Sequence, residues 1–154
     1  MEQIIKEKAL NDLNYIPALK FIFDNITINS IFTYIANDTL SLNKNNNNSI
    51  KQVIKKDPFI EFENFKNSSE KYDLILIDED LENRWKWINE SFSKTNIILV
   101  HDTENCNCDW SLVKKPSDFF WLDLKTYNPW TSIITNEKIL ISESMRLLNA
   151  KLRT

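Results

Sequence analysis

YDLILID (residues 72–78) and NIILVHD (residues 96–102) are two nearly continuous apolar runs, each closing on an aspartate. Runs of this kind are strands buried on both faces, as in a parallel sheet. Between them, LENRWKWINESFSK (residues 81–94) has apolar residues at helical spacing through Leu81, Trp85, Ile88 and Phe92. Strand, helix, strand in this order is a parallel βαβ unit, and it makes the chain α/β.

Upstream, residues 2–13 have Ile4, Ile5, Ala9 and Leu13 at helical spacing and predict a helix. IPALKFIFDNI predicts a second, with Pro17 in its first turn, where a missing N–H costs nothing. INSIFTYI is β-branched and aromatic and predicts a strand, with TLSLN as a short second one. The polar tract NKNNNN reads as a loop, and NSIKQVIKK as a short helix capped by Asn48 or Ser49. FIEFENF alternates and predicts a half-exposed strand after Asp57-Pro58. Downstream, DFFWLDL and WTSIITN predict an antiparallel pair at a sheet edge. SESMRLLNAKL predicts a C-terminal helix with Ser142 or Ser144 near its cap. A single domain over 1–154 is expected: N-terminal helices over 1–27, sheet core over 28–136, and a C-terminal tail or helix over 137–154.

Composition narrows the function. The 154 residues are 42% hydrophobic and 12% aromatic, enough for a packed core, and the net charge of -3 provides no broad basic field for nucleic acid. No apolar run is long enough for a membrane span, and the charged start MEQIIKEKALNDL lacks the apolar centre of a signal peptide. A cytoplasmic protein is expected. Two cysteines make no disulfide framework. There is no glycine at all. Backbone positions with positive φ must therefore fall to Asn and Asp, the next most tolerant residues.

Ligands of open parallel sheets bind beyond the carboxyl ends of the strands. There the chain carries Asp78, Glu79 and Asp80 after one strand and His101, Asp102 and Glu104 after the next. These make a polar site with His101, the only histidine, as an acid or base. The alternative reading is structural, with Asp80 capping the helix that follows. His101, Cys106, Cys108 and Asp109 match no common zinc spacing, so no metal is expected. Trp85 and Trp87 are two apart and cannot share a helix face, so one should be buried and one partly exposed.

YDLILIDED, NIILVHDTE and NPWTSIITN together resemble class I S-adenosylmethionine-dependent methyltransferases. The resemblance is closest to a subgroup with V-H-D-T-E at a strand end, here Val100 to Glu104. That subgroup also has a distal P-W-T-[ST]-x-x-[ST]-N motif, here Pro129 to Asn136. YIPALKFIFDNI is similar to the helix before the family's first core strand. The likeness is patchy but in order from about Tyr15 to Asn136.

It implies a Rossmann-like three-layer sandwich, mostly parallel, with an antiparallel edge hairpin at its C-terminal end. S-adenosylmethionine would lie across the ends of the first, second and fourth core strands. It would be lined by Tyr34, Asn37, Asp38 and Asn43, with Asp78 and Asp80 bordering its methionine end or the substrate. His101 or Asp102 would orient the methyl acceptor or take its proton. The chain departs from the pattern in three places. Thr33 stands near the first-strand acid, YIAND replaces the glycine loop, and Asn43 or Lys44 replaces the ribose-binding acid. A rival alignment sets TYIANDTLSL against a loop of the type E-Y-G-S-G-N-S-T-L. Two functions follow. One is a methyltransferase acting on a small-molecule or protein substrate. The other is a degenerate, non-catalytic scaffold whose partner is a second copy or an active homologue. A different small ligand in the same crevice is a third.

Overall fold

The computed structural model describes residues 16–35, 49–54, 58–78, 82–104, 107–126 and 129–153. They form an α/β unit with a mixed seven-stranded sheet. In chain order the elements are α1 (Ile16–Asn25), β1 (Ser30–Ile35), β2 (Ser49–Ile54), α2 (Pro58–Asn67), β3 (Leu74–Asp78), α3 (Arg84–Ser91) and β4 (Ile97–His101). A 3-10 turn (Trp110–Leu112), β5 (Phe120–Leu124), β6 (Thr131–Thr135), α4 (Lys138–Leu147) and β7 (Lys151–Leu152) follow. The strand order is β2-β1-β3-β4-β6-β5-β7.

The apolar runs do what their composition requires. β3 and β4 are buried on both faces, and alternate residues feed two cores. Leu74, Leu76, Ile97 and Leu99 pack with Ala18 and Ile22 of α1 and Leu140 of α4. Ile75, Ile77, Ile98 and Val100 pack with Phe65 of α2 and Trp87 and Ile88 of α3. β2, β1, β3 and β4 run parallel, as the βαβ pattern predicts.

The rest of the sheet corrects the expected edge hairpin. β5 and β6 do pair antiparallel, but β6 lies inside the sheet, between β4 and β5, and is antiparallel to both. All five residues of β6 are buried, as a strand flanked on both sides requires. β7 then pairs antiparallel with the outer side of β5. The sheet is therefore half parallel and half antiparallel.

Two short elements exchange types. SIKQVI is strand β2 and not the expected short helix, since its β-branched Ile50, Val53 and Ile54 favour a strand. FIEFENF belongs to helix α2, opened by Pro58 at its first position. Its Phe62 and Phe65 fall three apart and meet the Trp87 ring at 5.2 and 5.1 Å. The C-terminal helix begins at Lys138, earlier than expected, and Ser142 and Ser144 lie within it. In α3 the buried residues are Arg84, Trp87, Ile88 and Ser91, so Trp87 and not Trp85 enters the core. The predicted helix over 2–13, the TLSLN strand and the NKNNNN loop lie outside the described residues.

Candidate functional site

β1 has β2 on one side and β3 on the other, so the chain order reverses between β1 and β3. A crevice beyond the carboxyl ends of strands opens where such a reversal occurs. In register, Ile35 is opposite Asp78, and Ile77 is opposite Val100, which brings the carboxyl ends of β1, β3 and β4 side by side.

At those ends Asp78 and His101 meet. The Asp78 Oδ1 lies 3.1 Å from the His101 Nδ1, with 13% and 10% of the two side chains exposed. A carboxylate beside Nδ1 favours the tautomer that donates from that nitrogen, which fixes the ring's orientation. Asp102 follows with φ 61, in the left-handed region, and is half-buried. The other positive φ among the described residues belongs to Asn149. Both fall on the residue types that a glycine-free chain must use.

The turn is held from two sides. The Arg84 Nη1 donates to the carbonyl of His101 and, at 3.5 Å, to that of Asp102. Arg84 is 1% exposed and opens α3, where a cation opposes the helix dipole by about 0.3–1 kcal/mol. The two carbonyls offset that cost. On the other side, the Thr103 N–H donates to the Trp130 carbonyl at 3.1 Å. The Trp130 N–H donates to Glu104 Oε2 at 2.6 Å. The hydroxyls of Thr103 and Ser132 lie 2.7 Å apart. The segments VHDTE and PWTS, distant in sequence, are thus one structure, joined by the pairing of Val100 with Ser132 and His101 with Thr131.

Of the sequence-predicted residues, Asp78 and His101 are brought together, and Asp102 follows His101 in the turn. Tyr34 lies in β1, in register with Val53 and Ile77. Asn37, Asp38, Asn43 and Asp80 lie outside the described residues. The strand beside β1 is Ser49–Ile54, so Asn43, expected at the end of a second strand, precedes this one. The N-cap position of α3 is Asn83, not Asp80. Arg84 was missed in the sequence because it is charged. Its signal is its place three and four residues before Trp87 and Ile88, on the same helix face.

Cys108 is buried, and burial pushes its thiol pKa up, against a smaller opposing pull from the Arg84 charge. Among the described residues no group of His, Cys, Asp and Glu is arranged to hold a metal. No described helix is long and apolar enough to cross a membrane. No protein-family model matches the chain, and neither a curated protein nor a solved structure matches it.

Proposed function

We propose that the domain is a Rossmann-like three-layer unit of the methyltransferase type. In this reading it binds S-adenosylmethionine beyond the carboxyl ends of β1, β2 and β3, with the end of β4 beside them. The observation that carries the reading is the Asp78–His101 pair at two adjacent strand ends, beside the reversal of strand order. Two further features support it. The four parallel strands run in the order that creates such a crevice. The residues of both motifs that suggested the family also bond to each other.

The cofactor would supply an electrophilic methyl group on a cationic sulfur. Carboxylates suit that charge, and Asp78 and Asp102 are the two at the described strand ends. Asp102, in the turn beyond β4, would meet the acceptor. Asp78 would hold the His101 ring in place. Transfer of this kind depends chiefly on proximity and orientation. With β2 at 49–54, the first acid after the second strand is Asp57, which takes over the ribose-binding part first given to Asn43. Calorimetric titration with S-adenosylmethionine and S-adenosylhomocysteine tests the reading. Micromolar binding, weakened by Asp57→Ala and unchanged by Asn43→Ala, is expected. No heat at millimolar ligand would end it.

The second reading, a non-catalytic scaffold, is favoured by the low exposure of the His101 and Asp78 side chains. It is also favoured by the use of Thr103 and Glu104 to seat β6. A stable dimer that binds neither ligand would support it.

A further inference from the structure

Asp123 lies in β5 with 4% of its side chain exposed, and a buried carboxylate needs partners. The Ser132 hydroxyl donates to its Oδ1 at 2.6 Å. The Arg153 Nε donates to both of its oxygens at 3.1 Å. The same guanidinium lies 4.5 Å over the Trp121 ring and 5.3 Å over Trp110, and its Nη2 donates to the Thr103 carbonyl at 2.8 Å. Three consecutive carbonyls at the end of β4 therefore accept from arginines. Arg84 takes those of His101 and Asp102, and Arg153 takes that of Thr103.

Arg153 reaches this place on a slender support. β7 pairs with β5 only through Lys151 and Leu152, both exposed, before the Arg153 N–H donates to the Trp121 carbonyl at 2.8 Å. Asn149, at φ 50, turns the chain out of α4, and the Ala150 N–H returns to the Ser144 carbonyl at 3.2 Å. A non-glycine residue in this conformation costs about 1–2 kcal/mol, and surrounding contacts must hold it. The two left-handed residues among those described, Asp102 and Asn149, thus stand at the site turn and at the base of the segment that clamps it. A two-residue edge ladder belongs to the least stable part of a fold, so the Arg153 contacts decide whether the segment is docked.

We propose that residues 149–153 are a strap whose docking sets the His101–Glu104 turn, with Arg153 as a positioning residue for the candidate site. The functional meaning rests on the reading of that turn as a ligand border. A ligand that favours the docked turn would tighten the strap by the same free energy with which the strap favours the ligand. His101 is the only histidine, so its ring signals in a proton NMR spectrum report on the turn without ambiguity. In the full chain, Arg153→Met is expected to shift and broaden those signals while amide signals of β1 remain in place. Arg153→Lys keeps the charge but not the planar fork, and should fall between parent and Met. Unmoved His101 signals in folded Arg153→Met would overturn the proposal. If that variant does not fold, unmoved signals in Arg153→Lys overturn it equally. Should His101 move in the variants while the parent binds no S-adenosylhomocysteine, the strap stands and the cofactor reading falls.

Discussion

Strand β3 is preceded by Asp73 and ends on Asp78, and the two aspartates do different work. Asp73 Oδ2 accepts from the Asn29 N–H at 2.8 Å, the Ser30 N–H at 2.9 Å and the Ser30 hydroxyl at 3.2 Å. It ties the start of β1 to the start of β3. Nearby charges at that end also terminate on backbone. Lys94 donates to the Ser68 carbonyl and Lys71 to that of Ser93, each just past the end of a helix. Lysines near helix C-termini satisfy orphan carbonyls and suit the dipole. At the other end of the strand, Asp78 meets a side chain, His101. A carboxylate that binds backbone is explained by the fold. A carboxylate that orients the one histidine at adjacent strand ends has no such backbone task, and in the proposed reading it serves a ligand. The contrast between the two ends of one strand is the main argument for a site.

The contrast can be broken by substitution. The largest effect is expected from Arg84→Ala, which leaves a void and removes the donor to two carbonyls. Unfolding by denaturant should show a loss of about 3–4 kcal/mol. A loss below about 1 kcal/mol would mean that the turn holds itself. Asp73→Ala should cost about 2 kcal/mol, because it abandons donors at the amino end. It should leave ligand binding untouched, since it lies at the wrong end of the sheet.

Next in size is Asp102. Valine there should cost about 1–2 kcal/mol, as a branched side chain is poorly tolerated at φ 61, whereas Asp102→Gly should be near neutral. Equal costs would show that the carboxylate matters more to folding than the backbone. The smallest effect concerns Cys108. Its raised pKa means that the thiol keeps its proton to higher pH than a free cysteine. In a Cys106→Ser background, alkylation of the native protein at pH 8 should be far slower than after unfolding. Equal rates would show that Cys108 is open to solvent.

Much of the parallel half was legible because its strands are long apolar runs with few alternatives. The same logic placed Asp78 and His101 together, since neighbouring strand ends are neighbours in space. The missed elements are short or mixed. SIKQVI and FIEFENF each carry too few residues for one period to exclude the other, and the pairing partners decided them. The internal position of β6 depends on contacts with β4 that local pattern does not encode. β7 is two residues long and leaves no periodic trace. Arg84 and Arg153 were hidden by their charge, because a buried arginine is recognisable only once the carbonyls it serves are in place.

The most direct test of the account compares the two aspartates in one titration. S-adenosylmethionine, whose sulfur carries the positive charge, would be titrated into the parent chain, Asp73→Ala and Asp78→Asn, the last chosen because asparagine can still accept from the His101 Nδ1–H but brings no negative charge. The account predicts equal affinity for the parent and Asp73→Ala, and at least tenfold weaker binding for Asp78→Asn, about 1.4 kcal/mol. An Asp78→Asn variant that binds as tightly as the parent, or a parent that binds nothing, would contradict it.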